Sequence, residues 1–386
     1  MIHPRKLFTA WLLIIAWLLC SSLYSQTIVG KITNEFNEPL PFANVFVKQL
    51  ATGTISDDEG AYALRLENDG EYDLVFSSLG YESKSIPVAF TSDTLRLNVQ
   101  LFTSGVDLQE ITVNASKKDP AFGIIRKVIE HKKAHLRATE SYRTKVYVKA
   151  TEEIDRKKKA KQETSQVQIS AGQPGLDPFE AQQQANQELL GRLNMVEMEV
   201  QLNYQYPNRY KEERTAYKTY GDGRGLFIPR FAETDFNFYR NMVQLTGISD
   251  APVISPISNN AILTYKYKLL STDYENGELV YEIEVIPRKK GNSTVQGLIY
   301  INEGSWTINR LDFKVPSATL KIFDEFALQQ AYTEIGDSLW IVGQQSFNYL
   351  SRQGKKQTFK GITTLAYSEY EYLPSKRYPA HKLPGW

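Results

Sequence analysis

The stretch Tyr72-Asp-Leu-Val-Phe-Ser-Ser-Leu-Gly-Tyr81 places Tyr72, Leu74 and Phe76 on one side of an extended chain and Asp73, Val75 and Ser77 on the other. Successive side chains of a strand point to opposite faces, so this period of two reads as a β-strand. Upstream, Thr27-Ile-Val-Gly-Lys-Ile-Thr33 opens another strand, and Leu40-Pro-Phe-Ala-Asn-Val-Phe-Val47 continues the pattern. There Val45 and Val47 share one face, while Asn44, Phe46 and Lys48 take the other. Thr54-Ile-Ser-Asp-Asp-Glu-Gly-Ala-Tyr62 lies between them and reads as a turn, because Gly60 tolerates the positive φ that a turn demands. Calcium is the alternative use for Asp57, Asp58 and Glu59. Calcium loops space their oxygens over several residues, whereas these three are consecutive. The turn reading is the simpler one.

This order over residues 27–115 resembles the carboxypeptidase regulatory-like domain, a small prealbumin-like β-sandwich attached to many envelope proteins of Gram-negative bacteria. The resemblance implies a cell-envelope protein. It implies no catalysis, because the module is an accessory. Leu108-Gln-Glu-Ile-Thr-Val-Asn-Ala115 closes the domain. In nutrient receptors carrying the same sandwich, a similar stretch is the energy-coupling segment before a plug and barrel. No plug-like sequence follows here, and β-branched alternation reads as a last strand and an exit linker.

The N-terminus points to the same compartment. Arg5 and Lys6 precede an apolar run from Leu7 to Cys20, and Ser21, Ser22, Ser25 and Gln26 restore polarity. That is the order of a secretory signal peptide, taken here as residues 1–26. The run is short for a membrane span, which needs about 20 apolar residues. Lipidation of Cys20 is a third reading, although Leu19 stands where lipoprotein processing wants a small residue.

Composition narrows the chemistry. The only cysteine of the 386 residues is Cys20, so a chain cleaved after it has no disulfide, thiolate ligand or thiol nucleophile. A formal net charge of +1 makes no case for nucleic acid. Twenty-three tyrosines favour strands.

Beyond the sandwich, Asp119-Pro120 is a helix start, with Asp as N-cap and Pro at the first helical position. The spacing predicts a linker helix within 116–138. Phe122, Ile125, Ile129 and Leu136 form its apolar face, with Arg126, Lys127, Glu130 and Lys133 largely elsewhere. Residues 139–375 read as a β-rich domain interrupted by a polar insertion near 156–195. That insertion holds the basic run Arg156-Lys-Lys-Lys-Ala-Lys161, read as a solvated loop or as a contact with anionic lipid, and a second helix start at Asp177-Pro178. From about Glu197 strands dominate. Asn276-Gly277 is a two-residue hairpin turn and Asn302-Glu-Gly-Ser305 another. A meander of hairpins predicts a curved antiparallel sheet or half-barrel, its concave face covered by the helix or by Gly/Pro loops. Residues 376–386 are a tail. The fold class is therefore mainly β with few helices.

Four stretches carry a second resemblance: Asp119 to Glu130, Phe227 to Arg240, Ser255 to Tyr267, and Gly297 to Phe313. Together they look like an uncharacterised envelope family that pairs the regulatory-like sandwich with a large domain of unknown function. The last stretch also resembles, more weakly, the hairpins of periplasmic lipoprotein-carrier half-barrels. Members of the family usually continue into amphipathic strands that look like an outer-membrane barrel. This sequence ends at Trp386 after a proline-rich segment, so the expectation is a barrel-lacking short form.

No catalytic, cofactor-binding or metal-binding residue is nominated, and no cofactor is expected. His131 and His135 are spaced i, i+4, but Lys132 and Lys133 stand where a helical zinc motif carries its Glu, so both read as exposed helix residues. Gly221-Asp-Gly-Arg-Gly225 is followed by Pro229 and lacks the helix that a phosphate cradle needs. Glu233, Asp235, Glu282, Glu284 and Asp312 leave a glycosidase pair open, with Glu282 and Glu284 on one strand face. The reading is a non-catalytic envelope protein of the periplasm, outer membrane or cell surface, with a protein or glycan partner and an association with the outer membrane left open. Its alternatives are a carrier of an apolar ligand and a carboxylate-dependent hydrolase. Mass spectrometry of the mature protein is expected to find an N-terminus near Ser25 or Gln26. An intact Met1 on a cytoplasmic protein would refute export, and an acylated Cys20 would replace soluble secretion with a lipid anchor.

Overall fold

Eight short strands build the first domain: β1 (Thr27–Thr33), β2 (Asn44–Val47), β3 (Thr52–Ile55), β4 (Ala61–Arg65), β5 (Gly70–Ser77), β6 (Lys84–Phe90), β7 (Leu95–Arg96) and β8 (Val99–Gln100). They form two sheets. In one, β1 pairs with β4, β7 and β8; in the other the order is β3-β2-β5-β6. Tyr72, Leu74, Phe76, Val45 and Val47 point into one core with Ile28, Ile32 and Phe90, as the alternation predicts. The carboxylate turn is structural. Asp57 Oδ1 accepts hydrogen bonds from the Glu59 and Ala61 amides at 3.0 and 2.8 Å, while Asp58 leaves to pair with Lys149 of the next domain at 2.6 Å.

The computed structural model describes residues 27–103, 119–138, 141–156 and 193–372, apart from 51, 67, 92–93, 207–208, 222–225, 234–235, 250, 290–292, 336–338 and 354–356. The signal peptide, the 108–115 stretch, the helix expected after Asp177-Pro178, the Asp222–Gly225 part of the glycine-rich turn and the tail lie outside the described residues.

Helix α1 (Ala121–Ala138) starts as expected. Asp119 Oδ1 accepts the Ala121 amide at 3.0 Å, and it also accepts the Leu269 amide of a neighbouring strand at 3.1 Å. Its buried stripe is rotated from the predicted one, however. Ala121, Ile124, Ile125, Val128 and Lys132 face inward, and Phe122, Ile129 and Leu136 pack at its margins. Lys132 is the reason the periodicity misleads. Its stem completes the apolar stripe while Nζ donates to Asn241 Oδ1 at 2.6 Å and to the Ile257 carbonyl at 2.9 Å. Burial and the charge of Lys133 lower its pKa to about 8.

The remaining elements are β9 (Ser141–Arg156), β10 (Leu193–Gln205), β11 (Arg209–Tyr220), β12 (Met242–Val243), β13 (Val253–Ile254), α2 (Ala261–Thr264), β14 (Tyr265–Glu275), β15 (Glu278–Pro287), β16 (Gln296–Asn302), β17 (Ile308–Lys314), β18 (Glu325–Ile335), β19 (Leu339–Gln353) and β20 (Gln357–Tyr372). Ten of these strands form one open antiparallel sheet in the order β11-β10-β9-β20-β19-β18-β17-β16-β15-β14. It is two meanders rather than one. The first strand, β9, precedes the expected start near Glu197 and pairs with the last strand, from Gln357 opposite Arg156 to Tyr372 opposite Tyr142. The Asn276-Gly277 turn forms as predicted, with φ of 52° and 85°, the pair of positive values that a tight hairpin needs.

The sandwich is packed against the convex face of this sheet. Every residue of β2 is buried, on both faces, because Asn44 and Phe46 turn away from the sandwich core and into the interface. Asn44 Nδ2 donates to the Gly343 carbonyl at 2.8 Å, and Gln344 bridges by accepting the Leu79 amide and donating to the Phe42 carbonyl, both at 3.0 Å. Phe42 stacks on Tyr147, Lys48 pairs with Glu334 at 2.6 Å, and the Asn276 side chain binds Ser83 and Ser85. Phe46 belongs to the core of the large sheet and is absent from that of the sandwich. Phe46→Ala is therefore expected to destabilise the full chain by roughly 3 kcal/mol, as core phenylalanine truncations do. Calorimetry should then resolve the sandwich as a separate transition. An unchanged single transition would show that Phe46 does not couple the two domains.

Candidate functional site

The concave face of the ten-stranded sheet is where a half-barrel would hold a ligand, and here the chain itself covers it. Inward side chains of β9, β10, β14–β20 join Ile125 and Val128 of α1 and the 226–264 segment in one core. Phe227, at the start of that segment, stands edge-on to Phe323, Phe326, Phe347 and Tyr349. Its backbone is clamped as well: its amide donates to Tyr349 Oη at 3.0 Å, and its carbonyl accepts the Thr363 hydroxyl. Gly361 makes that clamp fit. A Cβ there would lie 2.0 Å from the Tyr349 ring, so a side chain would displace the phenol.

Among the described residues a cavity of about 110 Å³ lies between the end of α1, the 231–239 segment and the sheet. That is less than the roughly 150 Å³ that holds one benzene molecule. Its walls are aromatic. Tyr370, Tyr142, Tyr204 and Tyr210 come from four adjacent strands and follow one another at centroid spacings of 5.6, 5.1 and 4.9 Å. Adjacent strands lie about 4.8 Å apart, so the equal register of Tyr142, Tyr204 and Tyr210 places their rings in a row, and the register shift between Ser368 and Glu371 brings Tyr370 to its end.

Its floor is polar and internally paired. Gln330 Nε2 donates to the Phe236 carbonyl and to Gln345 Oε1, both at 3.0 Å, and Gln330 Oε1 accepts the Tyr332 hydroxyl at 3.1 Å. Gln345 Nε2 donates to the Tyr367 hydroxyl. Buried amides are tolerated when both ends find partners, and these do.

The residues weighed from sequence fall elsewhere. His131 is exposed as expected, but His135 is partly buried and lies against Tyr239 at 5.4 Å in the cavity wall. Burial, followed by the nearby His131, lowers its pKa and favours the neutral ring. Glu233 pairs with Arg230 at 3.1 Å on the surface. Glu282 is buried, accepting the Ser271 hydroxyl at 2.6 Å and the Tyr300 hydroxyl at 3.0 Å, and Asp312 accepts from Gln329 at 2.9 Å. Glu284 shares the strand face of Glu282, as predicted, and Asp235 lies outside the described residues. Among the described residues no group of three His, Cys, Asp or Glu side chains could hold a metal.

Two carboxyls were not singled out. Glu152 is buried with Oε1 unpartnered, and desolvation raises its pKa to about 7. Glu212 is exposed on β11 but partly desolvated beside the 231–233 turn, which raises its pKa, and its Oε1 accepts the Ala232 amide at 3.1 Å. The signal for Glu152 was available in the alternation of β9, where it follows Val146, Val148 and Ala150 on the inward side.

The model of the family described as a family of unknown function, DUF5686, matches residues 124–370. This chain belongs to that family. The match begins within α1 and ends in β20, so the DUF5686 region coincides with the helix and the ten-stranded sheet. A CarboxypepD_reg-like domain matches residues 28–113, the predicted sandwich. A stretch of 61 residues is 36% identical to the TonB-dependent receptor P39 of Formosa agariphila, covering 16% of this chain and 6% of that protein. Among solved structures, a LolA superfamily protein from Nitrosomonas europaea aligns over 67% of this chain and 99% of its own, at 13% identity and a TM-score of 0.27. A membrane-associated protein of unknown function from Bacteroides fragilis aligns over 90% and 99%, at 10% identity and a TM-score of 0.18. No helix among the described residues is long and apolar enough to cross a membrane.

Glu152 sets a pH dependence. The folded state holds its proton more tightly than the unfolded chain, whose carboxyl titrates near 4.5. Its ionisation therefore costs nothing below that pH and destabilises the fold increasingly as pH rises through about 7. Glu152→Gln is expected to stabilise the protein by on the order of 2 kcal/mol at about pH 8 and to leave it unchanged near pH 4. Urea denaturation at both values checks this, and equal effects at the two would remove the burden assigned to the carboxyl.

Proposed function

We propose that this is an exported envelope protein acting as a non-catalytic binding module for a protein or glycan partner. One observation carries the reading. Among the described residues the concave face, where a carrier would keep an apolar ligand, is covered by α1 and the 226–264 segment, and the cavity between them and the sheet is about 110 Å³. An acyl chain does not fit such a volume. The polar groups at its floor bond to one another, which suits a specified core better than a reactive centre.

Binding then falls to exposed surfaces, and β11 is the favoured one. It is an edge strand, exposed along most of its length, and it carries Tyr217 and Tyr220 with Arg214 stacked on Tyr217 at 5.0 Å. Exposed tyrosine and arginine are the residue types that dominate recognition surfaces. The free edge offers main-chain pairing to a protein, and the rings offer stacking faces to a sugar. The opposite edge, β14, is already engaged by Asp119 through the Leu269 amide.

The purified protein is expected to turn over no peptide, ester or glycoside substrate. It should retain an envelope protein or a glycan-array ligand with an affinity that falls about tenfold in the Tyr217→Ala–Tyr220→Ala variant, the usual scale for interface aromatics. Saturable hydrolysis abolished by Glu152→Gln or Glu282→Gln would replace this reading with the hydrolase. Extraction of a stoichiometric acyl lipid from the concave cavity would replace it with the carrier.

A further inference from the structure

The two ends of the large sheet differ in charge. At one end the turns carry Glu275, Glu278 and Glu303. At the other, where β15 and β17 finish and β16, β18 and β20 begin, Lys289, Lys314, Lys321 and Lys360 are all exposed. Two acids of this end, Asp324 and Glu325, share one cation, Arg352, which lies 3.6 and 3.8 Å from them, and Glu153 sits opposite Lys360 in the ladder. The balance among the described side chains stays cationic.

The same end exposes aliphatic side chains that nothing in the fold requires at the surface. Leu263 is 79% exposed, Ile322 66% and Ile362 51%. Ile362 lines one feature, a half-open trough of about 720 Å³ on the convex side. Pro287, Pro316, Ala318, Ala327 and Leu350 supply the rest of its apolar lining, and Lys314 and Lys360 share it with Asp324 and Glu325. Ile322 is tied beside it, its carbonyl accepting the Ser351 hydroxyl at 2.8 Å. Leu263 lies at the same end of the sheet, in α2 just before β14, where the neighbouring Ile262 carbonyl accepts Arg288 Nε at 3.1 Å. Scattered exposed leucines need no explanation, but Ile362 in the trough, with Ile322 beside it and Leu263 at the same cationic end of the sheet, does.

We propose that this end of the sheet is a lipid-docking surface that rests on an anionic bilayer. Its lysines lie against the headgroups, Leu263, Ile322 and Ile362 reach the acyl boundary, and the trough offers an apolar floor to the chain of a bound lipid. The occupant follows from chemistry. A bilayer with acidic headgroups is the partner that presents negative charge and hydrocarbon together over a broad surface. The trough volume also falls within the roughly 300–1,000 Å³ of sites that enclose small amphiphiles. Three connections that leave and re-enter the sheet at this end carry Lys157-Lys158-Lys159, Lys290 and Lys355-Lys356 in sequence; they lie outside the described residues and form no part of the surface proposed. The inference goes beyond partner binding at β11 and stands independently of it.

Co-sedimentation of the purified protein with phosphatidylcholine vesicles, with and without phosphatidylglycerol, tests it. Binding is expected only to the anionic vesicles and should weaken with salt. An exposed cation near the membrane contributes roughly a fivefold factor, so Lys314→Gln–Lys360→Gln should lower partitioning on the order of twentyfold. Ile322→Ser should weaken it further. Both changes sit on exposed side chains, and an unaltered thermal transition will show that the fold is kept. Equal binding to neutral vesicles, or no binding to either, would overturn the proposal. So would anionic binding that survives these variants and disappears only in Lys157→Gln–Lys158→Gln–Lys159→Gln, which would move the contact to the polar insertion.

Discussion

Two sixteen-residue strands, β9 and β20, pair from Gln357 opposite Arg156 to Tyr372 opposite Tyr142, and this pairing joins two meanders into one curved surface. Without it the β10–β11 hairpin would have no sheet to extend, and the Tyr370–Tyr142–Tyr204–Tyr210 row would be cut between its first and second rings. The pairing is also the longest-range ladder of the large sheet, closing a loop of more than two hundred residues. Such contacts form late and at high entropic cost, so the two meanders must hold together before the seam can close.

Closing the seam creates a broad apolar concave face, and the covering of that face determines the character of the domain. Helix α1 is anchored there at its start by Asp119 and toward its end by Lys132, whose ammonium is held by an amide oxygen and a carbonyl rather than by a carboxylate. The segment from Phe227 onward is clamped by Tyr349 and Thr363. Polar side chains specify these positions because each buried donor or acceptor tolerates few geometries. Glu152 departs from this pattern: it remains buried with an unpartnered oxygen and a raised pKa, which couples the fold to pH.

The convex face is divided between two environments. The sandwich covers the region around β19, β20 and β9, using β2 as a strand buried on both sides, with the Lys48–Glu334 and Asp58–Lys149 pairs at its margins. Ion pairs still in contact with solvent contribute modestly to stability, so Phe46, Asn44 and Gln344 make the larger part of the joint. Among the described residues nothing covers the region near Lys314, Lys360 and Ile362. One face of a single sheet thus carries an internal joint and an open trough.

The sandwich strands, the Asp119-Pro120 helix start, the Asn276-Gly277 turn and the mainly β class were legible in the residues, since period, caps and turn chemistry act over a few neighbours. The family was legible too, through the order of several stretches. Three things were decided only by tertiary structure. Alternation put Asn44 and Phe46 away from the sandwich core, but their burial depends on a sheet whose facing strands lie far along the chain. The helical period made Phe122, Ile125, Ile129 and Leu136 the inward stripe; Ile125 is buried as expected, yet Lys132 rotates the stripe away from the other three, because a lysine can be buried where distant acceptors meet it. Gln330 and Gln345 gave no sign of belonging to one buried network, since a glutamine in a strand looks solvent-facing until its partners are known. Local chemistry determines what each segment can form; which of its faces meets water depends on contacts that no local pattern encodes.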